Sequence, residues 1–495
     1  MTAGFAKRFL KGEGAAITLE NTEDVYDRFL KKIYDCPQGL DENDRLEIEK
    51  KLNEIEAVLY SVVRTKTELG RLIDYDHLRK NGFSSPQIEC FIKEDDQTIK
   101  DAEAFLQTSR ALGKRMFGYP VRYDEDTAIV KYLRYLEGML PLINNCGDTY
   151  EVSNFAMNSK VAYEQPILEK MYKHVGLKLP VIKDGEYIGP WGYITSGGSE
   201  SNKWGILNGL RKYPNATVYY SKAAHYSVPK SVKMNIRENG KEEVVKYVDY
   251  EIISTKNNSE KIDVAELIGK IENNWRLHKK PAVILLTWGT TKTGARDDVE
   301  EISNELKKLN VAHYIHLDAA LYGGVPNNQE NAPILPDMEK SGIDSVSVSL
   351  HKYIGNAVVN SVVIAKSKPV CEYVDYIGIT DSTISGSRSF NTFSMLQRVK
   401  ETFERKSAEE YQKNIAFFEN LLKEKKVDYL REEQANIFII NKPSDQICKK
   451  FQLSVFNDNN GIQKAHIIIF DNHQENMMRE LADEIASDKN CLKKS

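Results

Sequence analysis

The spacing of apolar positions changes twice along the chain. Ile48, Leu52, Ile55, Leu59 and Val62 step by four, three, four and three, with Glu47, Lys50, Lys51 and Glu54 between them, which places the apolar set on one helix face. The stripe predicts a helix packed on its own domain or on a dimer mate, or a short coiled-coil seam. With a second helical stretch over 65–110, residues 1–110 read as a helical N-terminal extension. From about 160 the pattern turns to short apolar runs alternating with amphipathic stretches. WGYIT (191–195), TVYYS (217–221), AVILLTW (282–288), HYIHLDA (313–319), DSVSVS (344–349) and SVVIA (361–365) predict strands, and 199–212, 262–275 and 299–310 predict helices. That alternation implies a mainly parallel sheet covered on both faces, an α/β large domain over 111–400 with a lead-in at 111–160. Beyond it, a long helical stretch, NIFIIN (436–441), AHIIIF (465–470) and a last helix near 474–487 predict a smaller α+β domain over 401–495.

Composition narrows the function classes. A hydrophobic share of 41% and a charged share of 28% are those of a soluble globular protein, and a net charge of −4 argues against a nucleic-acid or anionic-membrane partner. No apolar run reaches membrane-spanning length, and the first residues lack the apolar stretch of a signal peptide. The cysteines at 36, 90, 146, 371, 448 and 491 are scattered without CxxC or zinc spacing, so no metal is expected, and a reducing, cytoplasmic setting is.

Candidate chemistry collects past the predicted strand ends. TSGGSESN (195–202) follows a strand and opens a helix. Gly197 and Gly198 permit close backbone approach there, and Ser199 sits where free N–H groups attract a phosphate; the same motif also reads as a plain turn with a serine cap. His225 follows the next strand and suits stacking on a flat ring, or a satisfied core position. Thr290 and Thr291 offer hydroxyls past a third strand. Asp318 ends a fourth. Lys352 lies 34 positions on (352 − 318), beside His351. Asp318 alone is an ordinary cap or loop residue, and Lys352 alone an ordinary solvated lysine. Together, beyond the carboxyl ends of one sheet, they fit a single pyridoxal phosphate: a carboxylate keeps the ring nitrogen protonated, and a lysine with a depressed pKa bonds the aldehyde carbon.

The stretches GYP (118–120), INNCGD (143–148), WGYITSGGSESN (191–202), YYSKAAHYSV (219–228), GTTKTGA (289–295), HLDAA (316–320), DSVSVSLHKYIG (344–355) and VDYIGITDSTISGSR (374–388) occur in the order found in the pyridoxal-phosphate-dependent group II decarboxylases. The chain resembles that family, most closely its histidine and serine decarboxylase branch. The resemblance covers about 115–400 well, the C-terminus loosely and the first 110 residues poorly. It implies the aspartate-aminotransferase-like fold, fold type I. It also implies roles: Lys352 on the coenzyme aldehyde, Asp318 on the pyridine nitrogen, His225 on one ring face and against substrate, Ala320 on the other face. Gly198, Ser199 and Ser349 would hold the phosphate, and Thr291 would sit at the ring edge. His351 would be a candidate proton carrier, Tyr376 the tyrosine of a mobile loop that protonates the product, and Asn145 a substrate contact. A homodimer with its site at the subunit boundary is implied as well.

The sequence departs from that branch at Ser199 and Ser201 in the phosphate loop, at Asn356 and Ala357 after HKYIG, and at Ser389, Phe390 and Asn391 after SGSR. These changes bear on the substrate more than on the reaction. Amino-acid decarboxylation, with histidine to histamine first, is the expected activity. Serine or an aromatic amino acid, another pyridoxal-phosphate reaction (carbon–carbon lyase, aminotransferase, amine-forming oxidase) and a non-catalytic scaffold on the same fold remain open.

Overall fold

The computed structural model describes residues 100–492, apart from 123–142, 238–245, 327–333, 389–391 and the short gaps at 103, 106, 156, 185, 235, 257–258, 405–406 and 459. The predicted helix face from Ile48 to Val62 lies outside the described residues. The chain divides into two compact units, residues 1–111 with 126–132, and residues 112–125 with 133–495. In the first, the described residues are helical and mostly exposed.

The second unit is built on a seven-stranded sheet: β1 (Trp191–Thr195), β2 (Thr217–Ser221), β3 (Tyr250–Ile253), β4 (Ala282–Thr287), β5 (His313–Asp318), β6 (Ser345–Ser349) and β7 (Ser361–Ala365), in the spatial order β1-β7-β6-β5-β4-β2-β3. The pairs β6/β5, β5/β4, β4/β2 and β2/β3 are parallel, while β7 runs antiparallel to both β6 and β1. The sheet is thus mostly parallel, as the strand–helix alternation predicts. Strand β3 escapes that reading: it is a short edge strand, more exposed than buried, and carries Glu251.

The buried strands feed two cores, one on each face. Ile284 and Leu286 of β4 join one apolar cluster with Ile167 and Met171 of α1 (Gln165–His174), Leu267 and Ile271 of α4 (Val264–His278), and Ile302 and Leu306 of α5 (Val299–Leu309). Val283 and Leu285, one position out of phase, join the other with Ile206 of α2 (Gly198–Lys212) and Val228 and Val232 of α3 (Ser227–Met234). Alternate side chains of a strand point to opposite faces, so a continuous apolar run serves both layers.

After the sheet, a hairpin of β8 (Glu372–Val374) and β9 (Ile379–Asp381) precedes helices α6 (Thr392–Glu404) and α7 (Ser407–Glu424). The C-terminal strands β10 (Tyr429–Leu430), β11 (Ile437–Asn441), β12 (Ser454–Asn457) and β13 (Gln463–Ile468) form an antiparallel sheet in the order β10-β11-β13-β12, and α8 (Glu475–Ser487) closes the chain. One apolar cluster joins Phe418, Phe438, Ile467 and Leu481 of this part to Leu321, Tyr322 and Tyr353 of the large sheet's loops. Arg122 extends that connection: it pairs with Asp471 at 2.9 Å and donates to the Tyr353 carbonyl, one residue after Lys352.

Candidate active site

The predicted site residues leave the sheet at the carboxyl ends of its strands. In the strand register Asp318 lies opposite Thr287 on one side and Ser347 on the other. The carboxylate is buried. It accepts from the Asn202 amide at 2.7 Å, from the backbone N–H of Ala320 at 3.1 Å and from the Ser347 hydroxyl at 3.5 Å.

Lys352 sits in the turn between β6 and β7. Burial holds its amine below the usual lysine value, and the charge of Asp318 acts in the opposite direction. His225 is likewise lowered by burial, raised by Asp318 and lowered by Lys352, so acid and amine both act on the imidazole. The imidazole's Nδ1 accepts the backbone N–H of Ser227 at 3.3 Å and lies 2.8 Å from the Ser227 hydroxyl, which leaves the proton of the neutral ring on Nε2. Nδ1–H of His351 donates to the Asn360 carbonyl at 2.9 Å, and burial lowers that histidine too.

The phosphate-loop residues converge from three strands. A side chain at Gly198 would begin 3.2 Å from the Ser349 hydroxyl and 3.8 Å from the Ala320 methyl, so the glycine keeps that corner open. Helix α2 starts there, with Ser199 in the first turn, where N–H groups lack an intrahelical acceptor. Thr290 and Thr291 separate in role. Thr290 is buried and bonded to Thr293 and to the Ala295 N–H within the turn, whereas Thr291 is exposed.

Two motifs that look unrelated in sequence form one scaffold. The Asp148 N–H donates to Thr380, the Asn145 N–H to Arg388, and Cys146 packs on Ile377 and Ile379. Arg388 donates to both carboxylate oxygens of Glu164 at 3.4 and 3.2 Å, and Glu164 accepts the Ile194 N–H of β1. The Lys160 ammonium is buried among the carbonyls of Cys146, Asp148 and Glu151. Tyr376, at the tip of the β8–β9 hairpin, is 83% exposed. Asn145, the expected substrate contact, is buried with both ends of its amide turned to Ser159. Asn356, one of the departures, is also internal: its amide donates to Val358 and Asn360 and its N–H to Leu350, closing the lysine's turn.

Sequence reasoning passes over the residues behind Asp318. Asn202 donates its amide N–H to Asp318 and, at 3.1 Å, to Ser227; its carbonyl faces the Ser347 hydroxyl at 2.8 Å and His316 Nε2 at 3.1 Å. His316 is fully buried, held down to about 4 by burial, and its Nδ1 lies 2.7 Å from the Ser345 hydroxyl. The signal was present in SVSVS: Ser345, Ser347 and Ser349 alternate with Val346 and Val348, so the three hydroxyls share the face that Asp318 uses.

Residues 159–431 match the pyridoxal-dependent decarboxylase conserved domain. The chain belongs to that family. A histidine decarboxylase of Morganella morganii is 31% identical over 388 residues, 75% of this chain and 92% of that one, and a histidine decarboxylase of Klebsiella aerogenes is 31% identical over 386 residues with the same coverage. Among solved structures, L-methionine decarboxylase from Streptomyces sp. 590 superposes with a TM-score of 0.64 at 20% identity, over 80% of this chain and 96% of that one. Oryza sativa TDC with PLP superposes with a TM-score of 0.60 at 15% identity, over 91% and 99%. At these identities the superpositions establish the fold, which is fold type I.

This decarboxylase is therefore a pyridoxal-phosphate-dependent carboxy-lyase acting on an amino acid. Its residues suit the coenzyme on their own chemistry. The acid is buried and hydrogen-bonded, the lysine is depressed by burial, and the glycine-lined corner has a hydroxyl on one side and a helix start on the other.

Proposed function

We propose that this decarboxylase converts L-histidine to histamine and CO2, and works as a cytoplasmic homodimer. The likeness to the two histidine decarboxylases, over three quarters of the chain and nearly all of theirs, carries the choice of substrate. In this reading Lys352 bonds the coenzyme aldehyde and Asp318 pairs with the ring nitrogen. His225 stacks on one face and Ala320 lies against the other. Gly198, Ser199 and Ser349 hold the phosphate, and Thr291 sits at the ring edge.

When bound, the coenzyme supplies an electron sink for the pair left behind as the substrate's carboxylate departs. The chain's own residues do the remaining work. Asp318, fixed by Asn202 and the Ala320 N–H, holds a negative charge in one position. The lowered amine of Lys352 is available as a nucleophile, and His225 offers an Nε2–H to the substrate. Tyr376 Oη delivers the proton that replaces CO2, or His351 does so after its unprotonated Nε2 has taken one up. Tyr376 does so from a hairpin held by the bonds of Thr380 to Asp148 and Glu151 and of Ile377 to Asn154.

The exposure of apolar side chains beside the site supports a second subunit there. Val359 is 60% exposed within the lysine's turn, Tyr226 is 68% exposed next to His225, and Tyr376 stands at the hairpin tip. Cys146, Cys371, Cys448 and Cys491 are free thiols, in keeping with a reducing compartment. Among the described residues no helix is long and apolar enough to cross a membrane.

The test is to load the purified protein with pyridoxal phosphate and offer it a panel of amino acids, following amine and CO2. Histamine from L-histidine is the expected product. Ethanolamine from serine or an arylalkylamine from an aromatic amino acid would replace histidine as substrate. A keto acid, or aldehyde with peroxide, would replace the reaction.

A further inference from the structure

The hydrogen bonds behind Asp318 have one permitted direction. A carboxylate only accepts, so Asp318 holds the NH2 end of the Asn202 amide toward itself, and the same NH2 reaches the Ser227 hydroxyl. The amide carbonyl then faces Ser347 and His316 Nε2, both of which must donate. His316 spends its proton there, so its Nδ1 accepts from Ser345. On the other arm, the Ser227 oxygen already receives the Asn202 N–H and has its own proton to give. The acceptor within reach is Nδ1 of His225. Asn202, Ser227, His316, Ser345 and Ser347 are all buried, so water does not compete for these positions.

We infer that Asn202 is a positioning residue that couples the acid at the coenzyme nitrogen to the imidazole on the coenzyme face: through one amide, the carboxylate of Asp318 turns the Ser227 hydroxyl proton onto Nδ1 of His225, where it joins the Ser227 backbone N–H in keeping the ring proton on Nε2. The coupling places Nε2–H of His225 toward substrate and keeps Asp318 a hydrogen-bonded carboxylate. It rests on the coenzyme placement proposed above, while the relay itself is a property of the protein alone.

Asn202→Asp tests it with little change of shape. One oxygen of the new carboxylate still accepts from Ser347 and His316, but the oxygen that replaces Nδ2 faces both Asp318 and Ser227. The two acids must then share a proton. Ser227 turns its hydroxyl proton to the new acid and leaves a lone pair facing Nδ1 of His225. Coenzyme-free protein labelled with 15N-histidine, with the resonance assigned through His225→Gln, reports the result directly. Wild type should show an unprotonated Nδ1 and a protonated Nε2, and Asn202→Asp should shift the Nδ1 resonance as the hydroxyl donor turns away and the Ser227 backbone N–H is left there. Pyridoxal phosphate affinity should fall on the order of 10- to 100-fold, by analogy with the loss of metal affinity when a ligand's outer hydrogen-bond partner is removed.

Ser227→Ala is the second variant, needed should the first fail to fold. It cuts only the His225 arm, so it should shift the His225 nitrogens and leave coenzyme affinity near wild type. Wild-type nitrogen resonances in Ser227→Ala, or a proton on Nδ1 in the wild type, would overturn the relay. Coenzyme affinity unchanged in folded Asn202→Asp would overturn the coupling to Asp318. A wild-type protein that takes up no pyridoxal phosphate would instead overturn the coenzyme placement, and the nitrogen resonances test the relay in either case.

Discussion

The His316 imidazole lies against the backbone of Gly205, so closely that a methyl group on that glycine would overlap the ring. Helix α2 thus gives up a side chain in mid-helix, where glycine is unfavourable by roughly 0.5–1 kcal/mol relative to alanine, to let a buried histidine reach Asn202. Gly205→Ala should gain that propensity and lose more to overpacking, about 1–3 kcal/mol. The expected outcome is a lower apparent melting temperature together with weaker pyridoxal phosphate binding, read by thermal unfolding and coenzyme titration. A variant as stable as wild type would mean that the ring has room to move.

Lys352 is the amine that electrostatics ties to Asp318 and His225. Lys352→Ala should abolish turnover and the visible absorption of lysine-bonded coenzyme, while Asp318 and the phosphate corner still bind the free coenzyme. Absorption spectra and equilibrium dialysis on the same sample check both halves. A persisting lysine-bonded spectrum would move the covalent bond to another residue.

Arg388 and Glu164 are almost fully enclosed, with side chains 3% and 1% exposed. Removing one charge of such a pair leaves the other buried without compensation, typically at about 3–5 kcal/mol, whereas replacing both by apolar residues is often neutral. Glu164→Gln should therefore lower stability, and turnover with it, because Arg388, which also donates to the Gly147 carbonyl, loses its counter-charge. The double variant Glu164→Met/Arg388→Met should regain much of the stability. Melting temperatures of the singles and the double decide the matter, and additive losses would show that the pair is not coupled.

Stability should fall on mild acidification. Burial holds His174, His316 and His473 at about 4, below the value of 6.5 for a free histidine. As pH falls through about 6.5, the unfolded chain takes up protons that the folded chain refuses until about 4. Stability present above pH 6.5 is lost across that window, by up to about 3 kcal/mol for each histidine. Asp297 works against this: burial pushes its carboxyl up to about 6, so the folded chain gains that proton first. Three groups against one leave a net loss, and melting temperatures at pH 7, 6 and 5 should decline in order. A flat profile would show that these histidines are protonated without unfolding.

The large sheet was legible because β2, β4, β5, β6 and β7 are compact apolar runs between amphipathic helices, and burial on both faces demands that composition. The site was legible to the extent that its residues sit at strand ends in quotable motifs. Asn202 and His316 stood inside two of those motifs and were still missed, because Asn202 finds Asp318, Ser227, Ser347 and His316 itself only across stretches distant in sequence. The bonds of Asn145 to Ser159, fourteen positions on, were equally invisible, because a polar residue in a motif carries no sign of its partner. Strand β3 lacks the apolar run that marks the others. The joining of INNCGD to the β8–β9 hairpin depends on contacts across more than 200 residues, which no local pattern records.

The lysine's turn differs from its neighbours in what lies at its two ends. The loops bearing the phosphate corner and His225 run from a strand into a helix, whereas residues 350–360 run from β6 directly into its antiparallel neighbour β7, with Ser349 paired to Ser361 at the base and Leu350 bonded to Asn360 just above. Both ends of the reactive segment are therefore fixed to adjacent strands. Sliding of a helix elsewhere can reshape the other loops without altering how far the Lys352 amine projects, so, on the role proposed for Lys352, divergence in substrate choice is free to proceed through those loops while the attachment point stays where it is.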